Sequence, residues 1–230
     1  MNSTRPDTTG LLLSGGLDSA ILLGHLLAKG QRVQPFYVRS RLAWERAELD
    51  AARRFLAAVA SRRLKELVVF DQPLEDLYGT HWSLTGHGVP GAETPDAAVY
   101  LPGRNALLLI KPALWCGMND IRQLALGVLG SNPFSDATPE FFGDFQSALE
   151  RATGERVRFV RPFAEFHKRQ VMELGRGLPL ELTFSCISPL GSLHCGQCNK
   201  CAERIAAFQA AGMEDPTEYA NRTVIPARAE

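Results

Sequence analysis

Residues 11–27, LLLSGGLDSAILLGHLL, constrain the fold more than any other stretch. An apolar run, Leu11-Leu12-Leu13, breaks into Ser14-Gly15-Gly16-Leu17-Asp18-Ser19. It resumes at helical spacing with Ile21, Leu22, Leu23, Leu26 and Leu27. The pattern predicts a short buried strand over 11–13, a tight turn, and a helix over 17–29 closed by Lys29-Gly30. A glycine-rich turn that opens a helix suits an anion. Its backbone N–H groups point outward, the helix dipole adds positive potential, and Gly15 and Gly16 let oxygens approach the main chain. Ser14 and Ser19 add hydroxyl donors. Asp18 would repel bare phosphate, so it fits a Mg²⁺-holding or ribose-side role. The turn carries neither Gly-Lys-Ser/Thr nor Gly-x-Gly-x-x-Gly, so it is neither a Walker A loop nor a dinucleotide fingerprint.

The pattern continues as alternating strands and helices. RVQPFYV (32–38) reads as a strand. Residues 41–60 read as an amphipathic helix with Leu42, Leu49, Phe55, Leu56 and Val59 inward, and LKELVVF (64–70) as a third strand. A loop-rich stretch at 71–99 has the length of a lid or binding segment; in it Trp82 is either a base-stacking or a packing residue, and His81 and His87 lie nearby. Then come a helix over 103–120, a strand over 122–130, the loop SNPFSDA, a helix capped by Thr138 with Pro139 at its first position, and a strand over 156–163. The order predicts an α/β fold with a doubly wound, five-stranded parallel sheet. The composition changes after Phe163. We divide the chain into a nucleotide-binding domain, 10–165, and a C-terminal helical segment, 166–222, with a short helix at 167–177 and a last helix near 199–211.

The C-terminal segment carries SCISPLGSLHCGQCNKCAER, with Cys186, Cys195, Cys198 and Cys201 at Cys-x8-Cys-x2-Cys-x2-Cys spacing; Cys116 stands apart. Four thiolates at knuckle spacing complete a tetrahedral Zn²⁺ shell and leave no open position, which marks a structural site. An iron–sulfur cluster is the alternative, because cysteine ligands alone do not decide. His194 reads as a neighbour rather than a ligand.

Lys plus Arg and Asp plus Glu are both 25, so net charge is zero. That argues against a counterion-displacing nucleic-acid binder, and no direct nucleic-acid binding is expected. The N-terminus is polar, and no run of ~18 uncharged apolar residues occurs. The expectation is a cytoplasmic protein with no membrane contact. Arg104-Asn105, in YLPGRN, fit a phosphate ligand and a cap or adenine contact, with an ordinary Pro-Gly turn as the plain reading. Lys168 fits a nucleotide phosphate or a solvated first-turn lysine. Asp136 lies in the loop after the fourth strand, where an open α/β sheet binds ligands. Glu140 fits a dipole-stabilising acid in the following helix.

Ser14–Ser19 resembles the Ser-Gly-Gly-x-Asp-Ser signature of PP-loop ATPases. SGGLDS, YLPGRN, FHKRQVMELG with TFSC, and HCGQCNKCAERIAAF together resemble the 7-cyano-7-deazaguanine synthase family, over about residues 10–220. The resemblance implies the PP-loop fold, related to the adenine nucleotide alpha hydrolases, and splitting of ATP between its α- and β-phosphates. It implies that 7-carboxy-7-deazaguanine is adenylated, aminated by ammonia and dehydrated to the nitrile, by a C–N ligase that feeds queuosine and related modifications. ATP, Mg²⁺, one structural Zn²⁺ and a homodimer are implied too. Carried onto this chain, Leu13, Ser14, Gly15, Gly16, Leu17, Asp18, Ser19, Arg104 and Asn105 bind nucleotide. Asp18, Ser19 and Lys168 act in catalysis, Tyr37, Asn132 and Asp136 face the substrate, and the four cysteines hold the metal. No residue presents itself as an obligatory general base.

Two departures fall on the substrate side. The family's Asp-Tyr-Ser-Gly-Tyr-Pro-Asp-Cys-Arg run is replaced by Gly130–Thr138, where only Asp136 survives, and its Tyr-Gly-Gln is Tyr37-Val38-Arg39. They leave room for a related enzyme that adenylates another carboxylate, or attaches a deazaguanine to a protein or nucleic acid, as in antiviral defence. A non-catalytic zinc-bearing nucleotide module is a third reading.

Overall fold

A computed structural model describes residues 8–221. The polar stretch 1–7 and residue 222, the end of the expected C-terminal segment, lie outside the described residues. The strands are β1 (Thr8–Leu12), β2 (Arg32–Arg39), β3 (Val68–Asp71), β4 (Gln123–Ala125) and β5 (Arg158–Val160). The helices are α1 (Leu17–Ala28), α2 (Glu45–Ala58), α3 (Glu75–Tyr78), α4 (Trp82–Thr85), α5 (Arg104–Met118), α6 (Pro139–Thr153), α7 (Lys168–Leu174) and α8 (Asn199–Ala210).

The five strands form one sheet in the order β3-β2-β1-β4-β5, and every pair is parallel. This is the doubly wound arrangement that the alternation predicts. The order reverses between β1 and β4. The crevice at the carboxyl ends of those two strands is where open α/β sheets bind ligands.

Two apolar layers cover the sheet. Ile21, Leu22, Phe55, Val171, Met172 and Phe208 pack on Leu11 and Val33 on one side. Leu109, Ala113, Cys116 and Phe142 pack on Phe36 and Leu124 on the other. The first layer draws on α1, α2, α7 and α8, so the core runs without a break across residue 165.

Beyond the shifted ends of β1, β3 and β5, three elements differ from the sequence reading. The strand expected over 122–130 pairs only through Gln123–Ala125, because the chain then leaves the sheet and Leu126-Gly127-Val128 line the crevice. The helix expected from 41 begins at Glu45. The Glu45 carboxylate accepts from the Ser40 and Arg41 N–H groups (2.5 and 2.8 Å), and Arg41 takes a positive φ of 62°, which fixes a turn instead. The 71–99 stretch contains α3, α4 and a 3₁₀ turn at Asp96–Val99. It is no free lid: Ala92 N–H donates to Gln197 O (2.9 Å), Asn199 N–H to Pro90 O (2.9 Å), and Trp82 stacks on buried Trp44. Among the described residues, no helix is long and apolar enough to cross a membrane.

Candidate active site and metal centre

The turn after β1 is built to leave its donors open. Gly16 caps α1 with extended backbone and no side-chain cap, so the first-turn N–H groups have no capping partner from a side chain. The turn holds itself together through its serines. Ser14 N–H donates to Ser19 Oγ (3.2 Å), the two hydroxyl oxygens lie 3.1 Å apart, and Ser19 Oγ–H donates to Gly16 O (3.1 Å). Gly15 needs its positive φ of 81°, and a side chain there would meet the Glu48 carbonyl at 3.0 Å. Phe184 N–H donates to Gly15 O (2.8 Å), which ties the turn to the C-terminal segment.

Gly127, two residues past β4, faces the turn from across the crevice. A Cβ there would lie 3.0 Å from Ser19 N and from the Asp18 carbonyl carbon. The sequence reading missed this glycine, although a glycine just past a strand is the signal for a close backbone approach.

Asp18 and Lys168, 150 residues apart, meet at the mouth of α1. Lys168 Nζ donates to both Asp18 carboxylate oxygens (2.9 and 2.8 Å) and lies 3.3 Å from Glu203 Oε1. Lys168 is the first residue of α7, positioned by a capping box in which His167 N–H donates to Gln170 Oε1 (2.8 Å). Burial alone would lower its pKa, but Asp18 and Glu203 outweigh burial and raise it, so the ammonium is permanent. Glu203 also accepts from Lys200 (2.6 Å). Burial would push Glu203 up, yet the two lysines hold its carboxyl down at about 2. Lys200 and Glu203 are additions that the sequence reading lacked; on α8 they look like surface charges until the fold turns that helix toward α7.

These groups border a cavity of about 350 Å³, lined also by Tyr37, Glu48, Tyr100, Arg104, Asn132 and Phe134. Ser14, Gly16, Leu17, Asp18, Ser19, Asn105, Asp136 and Lys168 line it as well, as does Leu13. Arg104 enters from the first position of α5, behind Gly103, and acts on Glu48 and Tyr37 electrostatically. Asp136 is buried, and Asn105 engages it three times: N–H to Oδ2 (2.9 Å), Nδ2 to Oδ1 (3.3 Å) and Nδ2 to the Asp136 carbonyl (2.9 Å). In this structure its carboxylate anchors the start of α5. Asn132 Oδ1 accepts from Phe134 N–H (3.0 Å) in a local turn, and Phe134 packs on Tyr100. The Tyr37 hydroxyl donates to Glu48 Oε2 (2.6 Å), and burial with the two nearby glutamates raises its pKa far above the ordinary phenol value.

The four cysteines converge. Their sulfur atoms lie within 4.8 Å of one another, all four residues are buried, and the Cys186–Cys198 and Cys195–Cys201 pairs are 3.9 Å apart. A tetrahedral ion with ~2.3 Å Zn–S bonds requires S···S separations of ~3.8 Å. Main-chain N–H groups of Ser188, Cys195, Gln197 and Cys198 point at Cys186 or Cys195 sulfur at 3.3–3.4 Å, which suits thiolates. The set fits a structural zinc ion. His194 is buried, its Nε2 accepts from Ser185 N–H (3.1 Å), and its ring packs on Phe184, so it stays outside the cluster. Cys198 caps α8, so the knuckle and the helix that carries Lys200, Glu203 and Arg204 are continuous. Arg204 is 1% exposed and donates to Thr217, Thr183, Ser185 and Leu180 (2.6–3.3 Å), locking α8 to the segment that pins Gly15.

A model of the family described as Queuosine biosynthesis protein QueC matches residues 9–212. The chain belongs to the QueC family. Among curated QueC-like relatives, the 7-cyano-7-deazaguanine synthase of Acaryochloris marina is 32% identical, over 91% of this chain and 98% of that protein. The 7-cyano-7-deazaguanine synthase of Methanopyrus kandleri is also 32% identical, over 92% and 98%. A solved 4-thiouridine synthetase–RNA complex with bound ATP superposes with a TM-score of 0.50 at 16% identity, over 90% of this chain and half of that one. That likeness is one of fold, and it agrees with the PP-loop architecture of the sheet.

Proposed function

We propose that this QueC-family chain is an ATP-dependent C–N ligase that converts 7-carboxy-7-deazaguanine and ammonia to 7-cyano-7-deazaguanine through an adenylated carboxylate. The observation that carries this reading is the charge-paired glycine turn. An anion-binding helix start, a carboxylate and a half-buried lysine meet at the β1/β4 crevice in a chain that matches named synthases over nine-tenths of its length.

ATP bound here would supply the adenylyl group and a pyrophosphate leaving group, and a divalent cation such as Mg²⁺ would neutralise charge between them. The chain's own part is positional and electrostatic. The N–H groups that open α1, with the Ser14 and Ser19 hydroxyls, receive phosphate oxygens. Lys168 and Arg104 offset negative charge as pyrophosphate leaves. Asp18 is the carboxylate placed for the cation once Lys168 turns to phosphate. Tyr100, Asn132, Phe134 and Asp136 border the side on which the deazapurine would lie. The zinc knuckle holds α8 against this wall. In the family's manner the enzyme would work as a cytoplasmic homodimer.

The test is direct. Purified protein with ATP, Mg²⁺, ammonium and the carboxy-deazaguanine should yield AMP, pyrophosphate and nitrile; absence of all three refutes the proposal. One observation favours a second reading, in which the carboxylate or the acceptor differs. In segment 130–138 the Asp136 carboxylate is engaged by Asn105 and the Asn132 oxygen by Phe134. Pyrophosphate release on another carboxylate, with none on the deazaguanine, would select that reading.

A further inference from the structure

Two glutamates in the first turn of α2 have opposite surroundings. Glu45 accepts from Ser40 and Arg41 N–H and from Arg39 Nε, and so builds a turn. Glu48 builds none. It lines the cavity, and its Oε2 accepts from the buried Tyr37 hydroxyl at 2.6 Å. Its carbonyl abuts Gly15, so the residue is fixed between the end of β2 and the glycine turn. The groups that act on it are Tyr37 from β2, Trp44 and Glu45 from its own helix and Arg104 from α5.

We propose that Glu48 is the proton acceptor for the nitrogen nucleophile, held by Tyr37 at the cavity wall beside the glycine turn. The assignment rests on the synthase reading above. Ammonia at neutral pH is almost wholly ammonium and carries no lone pair. A cation is drawn to a carboxylate in a partly enclosed cavity. One N–H bond of ammonium breaks and an O–H bond forms on Glu48. The freed lone pair forms the C–N bond at the activated carbonyl carbon. The C–O bond to AMP breaks with its electron pair on the phosphate oxygen, and the surplus nitrogen proton leaves to water. Burial and Glu45 together raise Glu48 to about 7 against the pull of Arg104, Tyr37 and Trp44, which places it where a base exchanges protons readily at neutral pH.

The experiment compares ammonia with hydroxylamine, which is already neutral at pH 7 and needs no base to free its lone pair. In Glu48→Gln, ammonia-dependent kcat should fall by about 10²-fold, and hydroxylamine-dependent kcat by less than about tenfold. A parallel fall with both nucleophiles, or no fall with either, overturns the proposal. A second readout needs no variant. With wild-type protein and fixed total ammonium, the rate should rise with pH as Glu48 ionises and level off above about 7. A rate that keeps climbing with the free-ammonia fraction overturns it as well. If wild-type protein releases no carboxylate-dependent pyrophosphate, the synthase reading fails and this assignment with it. If release is intact and only the nucleophile comparison is flat, Glu48 alone is ruled out.

Discussion

Gly127→Ala should damage the glycine turn from the opposite side of the crevice. The new methyl carbon would stand 3.0 Å from Ser19 N and from the Asp18 carbonyl carbon. A contact that short is tighter than a Cβ normally tolerates, so the two backbones must part by a few tenths of an ångström. Both sides are main chain, so no flexible side chain can yield instead. Overpacking of this kind costs about 1–3 kcal/mol. At ~2–4 °C per kcal/mol for a chain of this size, Tm should drop by roughly 2–12 °C. The displaced N–H of Ser19 is one of the proposed phosphate donors; a full 1 Å error in such a group is worth about 10²-fold, so a shift of a few tenths of an ångström should lower pyrophosphate release by about 3- to 10-fold. Gly143→Ala is the control. It lies on the exposed side of α6 with nothing within 4 Å of its Cβ, and alanine there should gain ~0.5–1 kcal/mol of helix stability. Thermal melting and a pyrophosphate-release assay read both. If Gly127→Ala melts like the parent and stays within about twofold in rate, the two loops are not in close contact and the reasoning fails.

Three further outcomes follow from the same geometry. Lys168→Met should lower pyrophosphate release by about 10²–10³-fold while the protein still melts cooperatively, because a charged donor to the leaving group is lost; a rate within tenfold of the parent would contradict the role. Metal analysis should find one zinc and no iron per chain, and stripping it should collapse Tm, since a closed thiolate site contributes on the order of 10 kcal/mol; iron with visible absorbance would overturn the zinc assignment. Glu48→Gln should stabilise the protein only at higher pH. A carboxyl raised from 4.5 to about 7 disfavours its ionised form in the folded state, so stability is lost as pH climbs between those values. The Gln variant should therefore gain about 2–3 kcal/mol above neutrality and almost nothing near the ordinary carboxyl value, measured by melting across pH.

The turn at Ser14–Ser19 and the cysteine knuckle were legible because each is local. One is a break in an apolar run, the other a spacing. The fifth strand and the parallel order were legible from alternation. What stayed hidden depends on distant pieces meeting. Glu48 reads as one more charge on an amphipathic helix until β2 sets Tyr37 beneath it. Its spacing from Trp44, Ala52 and Phe55, four and seven residues away, does place it on the buried stripe. Lys200 and Glu203 gain meaning only when α8 crosses to α7. Asp136 was visible as a carboxylate at the crevice, but its engagement by Asn105, 31 residues earlier, was not. Strand β4 ends early for the same reason: apolarity marks 124–129 as buried, yet burial there is against the cavity as well as the sheet.

The pairing of Asp18 with Lys168 also bears on which ligands can enter. A bare anion that captures the lysine leaves the Asp18 carboxylate without its partner, and a bare cation that captures Asp18 leaves Lys168 with Glu203 alone. Only a ligand that brings both signs at once satisfies both partners. Under the proposed function the resting ion pair would act as a two-key lock, set against free phosphate, free nucleotide and free metal alike and open to a metal–nucleotide complex.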